Sequence, residues 1–315
     1  MPAKVPDLSI VIVSYNTVDI TRRCLTCLSD AAAGLDWEVI VVDNDSSDGS
    51  GTMVSSEFPL FKLIQNTSNL GVAAATNLGI RRSRGAYLVS MNSDVLAPPG
   101  AFVDLVKFME HHPDAGGATP RLVLQSQGKH PPFVGNLPTF KTDTLFALCL
   151  FHSKFAHWSN QKIFSGWDNC EDSCEVPCIH WGTCFLLRRE VLGAVGMQDP
   201  RFFVYCEDLD WSIRIRKAGW KLYYVAEVSV VHLLNQSTKK GGHKMYGQMW
   251  KSRCRLIDKN RGVWAGLFFR SLVGAACSIK GIVLVLSSCF IAKRRAELKE
   301  RLVLLYTVFR SILSY

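Results

Sequence analysis

Short apolar runs alternate with helix-like stretches over the first 120 residues. Residues 9–13, 38–42, 61–65 and 86–91 are runs of five or six, too short for helices and mostly rich in β-branched side chains, so they predict buried strands. Between them, residues 19–30, 72–84 and 101–112 read as helices. Gly85 closes the second, and Pro98-Pro99-Gly100 turns the chain into the third. This β-α-β-α-β rhythm predicts an α/β fold with a mostly parallel central sheet and helices on both faces. Residues 125–178 break the rhythm. Pro131, Pro132, Pro138 and scattered aromatics follow no simple period, and an insertion or flap is expected there. Order returns with a strand-like stretch at 179–188, a short helix near 189–195, a helix at 212–218 closed by Gly219, and a strand at 221–225.

The tail has a different character. Residues 239–315 hold sixteen Lys and Arg against three acids, a net +13, whereas residues 1–238 hold 20 basic and 24 acidic residues, a net −4. Residues 271–292 are apolar over 22 positions apart from Lys280, long enough to span a bilayer. One central lysine costs roughly 2.5–3.5 kcal/mol on insertion scales, which the surrounding Leu, Ile and Val could offset. The segment could equally lie in the interface, turn back as a hairpin at Lys280-Gly281, or form a buried core helix. Beyond it, Leu298, Leu302, Leu305, Phe309 and Ile312 recur at helical spacing, predicting an amphipathic helix. Basic residues interleaved with long apolar runs point to an anionic membrane surface and away from nucleic acid. The expected division is therefore a domain over residues 1–238 and a membrane-associating apolar and basic helical tail over 239–315. At the other end, residues 8–13 are too short for a secretory signal core and are expected as a buried strand. Eleven cysteines, odd in number and many in apolar runs, suit reduced thiols in a cytoplasmic protein.

Candidate chemistry sits where apolar runs stop at an acid. Val39-Ile40-Val41-Val42 ends at Asp43, and the strand at 86–91 delivers Asn92-Ser93-Asp94. Such ends present carboxylates at the sheet edge where α/β proteins bind ligands. Asp43 could accept the N3–H of uracil or thymine, which cytosine lacks, or could cap an Asx turn. Asp94 suits a divalent cation such as Mg²⁺ or Mn²⁺, which prefer oxygen ligands. His232, after apolar residues 228–231, could add an imidazole ligand or be a hydrogen-bonded structural residue. Tyr205-Cys206-Glu207-Asp208-Leu209-Asp210-Trp211 gathers three carboxylates. Asp208 suits a general base whose proton affinity is raised by burial and by Glu207; the alternative is acidic charge complementing a helix N-terminus. Trp181-Gly182-Thr183 could line a sugar pocket, although Trp181 could as easily be core. Cys170, Cys174 and Cys178, with His180 beyond, raise structural zinc, but their spacing is unlike a two-residue knuckle and Pro177 argues against one helical face.

Taken in order, these pieces resemble the family-2 inverting glycosyltransferases. The resemblance rests on Ser9-Ile10-Val11-Ile12-Val13-Ser14-Tyr15-Asn16, on Val41-Val42-Asp43-Asn44-Asp45-Ser46-Ser47-Asp48-Gly49-Ser50, and on Asn69-Leu70-Gly71 with Asn77. Asn92-Ser93-Asp94, the run from Gly182 to Arg188, and Glu207-Asp208 complete it over about residues 8–238. His232 and Ser237 resemble the rhamnosyltransferase-like branch. The resemblance implies a GT-A type nucleotide-binding fold. It puts Ser14, Tyr15, Asn16, Asp43, Asn69, Gly71 and Asn77 at the nucleotide, with Tyr15 near the base. Asp94 and His232 would hold the metal, Trp181, Gly182 and Thr183 would line the sugar or acceptor pocket, and Asp208 with Glu207 would be catalytic. Where the family often has Asp-x-Asp, this chain has Asn92-Ser93-Asp94, with one carboxylate. The implied activity moves a sugar, first of all rhamnose, with inversion from a dTDP- or UDP-linked donor. The implied acceptor is a lipid-linked or cell-surface glycan at the cytoplasmic face of the inner or plasma membrane. A polysaccharide-chain synthase normally carries several membrane spans; a non-catalytic sugar-nucleotide-binding membrane scaffold would not need Asp43, Asp94 and Asp208 together.

Overall fold

The computed structural model describes residues 4–124, 134–148, 150, 159–160, 162–164, 170–180, 182–233, 242–288 and 292–314. The chain forms two compact units. One comprises Met1–Gly135, Gly166–Phe203 and Glu207–Ser237, the other Asn136–Ser165, Val204–Cys206 and Thr238–Tyr315.

The first unit is built on a mixed, mostly parallel sheet. Its strands are β1 (Leu8–Ser14), β2 (Trp37–Asp43), β3 (Lys62–Gln65), β4 (Tyr87–Asn92), β5 (Val95–Leu96), β6 (Ala115–Leu124), β7 (Val134–Gly135), β8 (Cys174–Val176), β9 (Cys178–Ile179), β10 (Cys184–Arg188) and β11 (Lys221–His232). The main sheet runs β3-β2-β1-β4-β10-β6-β11-β5, with β8 on β11; β7 and β9 pair separately. β3, β2, β1 and β4 are parallel, β10 is antiparallel to both its neighbours, and β6 is parallel to β11. Successive side chains on β1 and β2 feed two cores. Ile10, Ile12, Val39 and Val41 pack with the helices Val18–Thr26, Ser50–Glu57 and Ala101–His111. Val11, Ile40 and Val42 pack with Val72–Arg82, Val191–Val195 and Glu207–Lys217. Burial on both faces is why these strands read as unbroken apolar runs.

β6 departs from the sequence reading, which assigned no strand there. Gly116, Gly117 and Pro120 suppress the signal. Their neighbours explain them: a Cβ on Gly116 would lie 2.6 Å from Trp220 Cβ, and one on Gly117 would lie 2.5 Å from Phe185 Cε2. Pro120 pairs with Val225 where the β6–β11 register slips before Ser229, a bulge that tolerates the missing N–H. β11 itself runs unbroken through 221–232, and the stretch expected as one strand at 179–188 divides into β9, a turn and β10. The helix expected from 212 begins at Glu207, directly after two left-handed residues, Tyr205 (φ 68°) and Cys206 (φ 66°).

The second unit packs the helices Gly242–Arg261, Val263–Ser288 and Ala292–Leu313 around Trp250, Phe269, Val273, Leu305, Val308 and Ile312. Asp143 is buried against Arg253 (2.6 Å) and Arg261 (3.4 Å), and Arg270 pairs with Asp258 at 2.6 Å. The helix Val263–Ser288 runs straight through Lys280-Gly281, which corrects the hairpin alternative. It is the one helix among the described residues long and apolar enough to cross a membrane.

Candidate active site

Parallel pairing brings the carboxyl ends of β2, β1 and β4 to one edge, where Ser14 stands opposite Asp43 and Val13 opposite Asn92. Asp43 is 4% exposed, and its Oδ1 is buried without a hydrogen-bond partner. Burial pushes its pKa up, against hydrogen bonds from Ser46 that favour the anion. A buried acceptor left unpaired is costly, so a base N–H arriving there meets a group ready for it. Gly51 lets the next helix start against this carboxylate, since a Cβ there would stand 2.9 Å from Asp43 Oδ2.

The turn after β1 is laced to the loop after β2. The Asn16 N–H donates to Ser46 Oγ (2.9 Å), Asn16 Oδ1 accepts from the Ser47 N–H (2.8 Å), and Asp48 Oδ2 accepts from the Val18 N–H (2.9 Å). Asn16 takes φ 53°, a conformation asparagine tolerates. Tyr15 is exposed, while Ser14 is buried 2.8 Å from the Thr21 hydroxyl. Thr17 Oγ1 then reaches Ser93 Oγ at 3.2 Å, connecting this turn to the segment that carries Asp94.

Asn44 is a hub to which the sequence reading gave no role. Its Nδ2 donates to Asn69 Oδ1 (2.8 Å), and its Oδ1 accepts from Asn66 Nδ2 and the Leu70 N–H, both at 3.0 Å. An asparagine directly after a strand-ending acid, followed by the polar loop 66–71, was the available signal. Gly71 adopts φ 80° beneath Phe203, whose carbonyl accepts from the Val72 N–H at 2.6 Å. Asn77 lies deeper, with its amide bonded to Gln198 in both directions: Nδ2 donates to the carbonyl (2.7 Å) and Oδ1 accepts from the N–H (3.1 Å). It holds the segment at 198.

Asp94 follows β4, and His232 ends β11. The short pairing of β5 with β11 holds them together, leaving Asp94 Oδ1 3.1 Å from His232 Nε2. Both side chains are mostly buried. The donor set, one carboxylate oxygen and one imidazole nitrogen, fits a divalent cation whose remaining ligands come from phosphate and water. No third His, Cys, Asp or Glu joins a metal-sized cluster anywhere among the described residues. This bears equally on the cysteines: Cys170 and Cys174 approach to 3.2 Å between sulfurs, while Cys178 is buried on β9.

Glu207 and Asp208 open the helix Glu207–Lys217. Asp208 Oδ2 accepts from the Gly182 N–H and Oδ1 from the Leu209 N–H, both at 2.7 Å. Thr183 is buried, and its carbonyl accepts from the Asn92 N–H at 3.0 Å. Asp208 is thus joined through Gly182-Thr183 to Asn92, two residues from Asp94. Burial pushes Asp208 up to about 7, against its two N–H donors. Glu207 rises to about 8, first from burial and then from the neighbouring Asp208 charge, and its Oε2 is buried without a partner. Adjacent acids that hold protons near neutrality mark a group suited to proton transfer. Trp181 and Ser237 lie outside the described residues.

The model of glycosyl transferase family 2 matches residues 9–196. The N-acetylglucosaminyl-diphospho-decaprenol L-rhamnosyltransferase of Mycobacterium tuberculosis is 28% identical over 304 residues, covering 91% of this chain and 96% of the relative. The rhamnosyltransferase WbbL of Escherichia coli is 22% identical over 267 residues, covering 80% and 93%. Among solved structures, the mannosyltransferase PcManGT of Pyrobaculum calidifontis, in complex with GDP-Man and Mn²⁺, superposes with a TM-score of 0.54 at 16% identity, covering 99% of this chain and 88% of that one.

Proposed function

We propose, for a chain that belongs to glycosyl transferase family 2, that it transfers rhamnose from a dTDP- or UDP-linked donor to a lipid-linked, N-acetylglucosamine-bearing acceptor, with inversion. Two relatives named as rhamnosyltransferases, matched over nearly their whole lengths, support the sugar; the first of them supports the acceptor. The observation that carries the chemistry is Asp208, a buried carboxylate oriented by two N–H donors and raised to about 7.

In this reading the acceptor hydroxyl gives its proton to Asp208 as its oxygen attacks the anomeric carbon. The bond from that carbon to the diphosphate breaks on the opposite face, which inverts the configuration. A base titrating near neutral pH combines availability with driving force. Glu207, protonated when Asp208 is not, can donate a hydrogen bond to a substrate oxygen. Asp43 takes the pyrimidine N3–H on its unpaired Oδ1, and Asn44 fixes the loop 66–71 alongside. Asp94 and His232 would hold Mg²⁺ or Mn²⁺, which when bound supplies a Lewis acid for the departing diphosphate. The basic, apolar second unit would keep the enzyme beside lipid acceptors at the cytoplasmic leaflet.

Thermal shift of the purified chain against UDP, dTDP, GDP and CMP with Mn²⁺, beside a transfer assay, tests this. UDP or dTDP should stabilise it and GDP and CMP should not. Asp43→Asn should cut that affinity about 10- to 100-fold, the range for a hydrogen bond to a charged group. A GDP preference would overturn the role of Asp43, and transfer surviving in Asp208→Asn would overturn the assigned base.

A further inference from the structure

We propose that the helices Val263–Ser288 and Ala292–Leu313 hold this protein on an anionic bilayer by lying in its surface, without crossing it. The inference rests on the membrane reading above and adds how the membrane is engaged.

The helix Val263–Ser288 has two opposed apolar faces. Gly266, Phe269, Val273, Ala276, Cys277 and Leu284 are buried in the core of the second unit. Trp264 (81% exposed), Phe268, Ile279, Ile282 and Leu286 (61% exposed) are spaced by about whole helical turns, so they share the opposite side, and they remain exposed. Val303, Tyr306 and Leu313 of the helix Ala292–Leu313 are exposed as well. So long a row of exposed aromatic and aliphatic side chains marks an interaction face.

Charge identifies what covers it. Residues 239–315 carry a net +13, and basic residues interrupt the apolar rows themselves: Lys280 lies between Ile279 and Ile282, and Arg310 between Phe309 and Leu313. Stems of this kind run along hydrocarbon while their heads reach phosphate. Each Lys or Arg near an anionic surface strengthens binding by about fivefold.

The packing excludes a span. The buried face of Val263–Ser288 lies against the helix Gly242–Arg261, which carries Lys244, Lys251, Arg253, Arg255, Asp258 and Lys259. Crossing would draw this charged partner and the Asp258–Arg270 pair into hydrocarbon, and each charge at mid-bilayer disfavours insertion by about a hundredfold. Lying in the interface keeps those charges out of the hydrocarbon and buries the open row.

The test uses the full purified chain with phosphatidylcholine vesicles, alone or mixed with phosphatidylglycerol. Binding should be at least about tenfold stronger on the anionic vesicles and should weaken with salt. Alkaline carbonate should release the protein. Ile282→Glu with Leu286→Glu, both exposed, should lower binding at least about tenfold while leaving the nucleotide-induced thermal shift intact. Retention through carbonate, equal binding to both vesicle types, or unchanged binding by the double variant would each overturn the proposal. So would a dimer in sedimentation that the double variant dissociates without changing vesicle binding. Failure to bind either vesicle removes the membrane reading too, whereas the thermal shift with UDP or dTDP reports on the donor chemistry separately.

Discussion

The backbone N–H of Gly182 donates to Asp208 Oδ2 at 2.7 Å, and the glycine stands so close that a Cβ there would lie 3.0 Å from Asp208 Cβ. The carboxylate is therefore aimed by the turn before β10 as well as by its own helix. Gly182→Ala should push it aside, lowering kcat about tenfold or more with the donor KM within about twofold. Asp208→Asn should lower kcat about 10²- to 10⁴-fold. Steady-state kinetics of the two variants check this, and a wild-type kcat in Gly182→Ala would refute the positioning role.

Glu207 and Asp208 make stability depend on pH. Both are raised above their unfolded values, so the stability they contribute is full below the ordinary carboxylate range and is lost as pH rises through about 7 and about 8. Glu207→Gln keeps the shape of the protonated acid without its titration. It should exceed wild type by about 1–3 kcal/mol at about pH 9 and converge with it near pH 5. With Asp208 as the base and Glu207 protonated beside it, the kcat midpoint should stay near 7 in Glu207→Gln. Urea melts and a pH–rate profile read the two effects, and a midpoint displaced well away from neutrality would contradict that assignment.

Asn44→Ala removes four side-chain hydrogen bonds from the loop 66–71 and leaves the Leu70 N–H without its acceptor. A loss of about 2–4 kcal/mol in unfolding free energy is expected. The donor KM should rise more than kcat falls, since what loosens is the nucleotide side of the site. Equal effects on both parameters would point elsewhere.

Asp94→Asn and His232→Ala each remove one of two adjacent donors. Half-saturation by Mn²⁺ in the transfer assay should rise about 10- to 100-fold in either variant. Full activity of the wild type in excess chelator would exclude the metal role of this pair.

Much of this molecule could be read along the chain. The strands carrying Ser14, Asp43 and Asn92 stood out because strands buried on both faces are unbroken apolar runs, and Asp43 and Asp94 stood out because two of those runs lead directly to an acid. Glu207 and Asp208 were visible as a cluster of charge, and the basic, apolar tail as a change of composition.

What stayed hidden depended on neighbours distant in sequence. β6 is a central strand despite Gly116, Gly117 and Pro120, because Trp220 and Phe185 press on its glycines and a bulge accommodates its proline. Nothing local distinguishes the hub Asn44 from an ordinary turn residue until Asn66, Asn69 and Leu70 converge on it. The 22-residue apolar run at 271–292 allowed a span, an interfacial helix or a hairpin. The continuous helix removes the hairpin, and the charged partner packed on its inner face is what favours the interfacial arrangement proposed above. Periodicity and composition determine which residues avoid water, because that preference belongs to each side chain and its spacing. Which partners they meet, and what those partners do to a proton, is decided only when separated segments fold into contact.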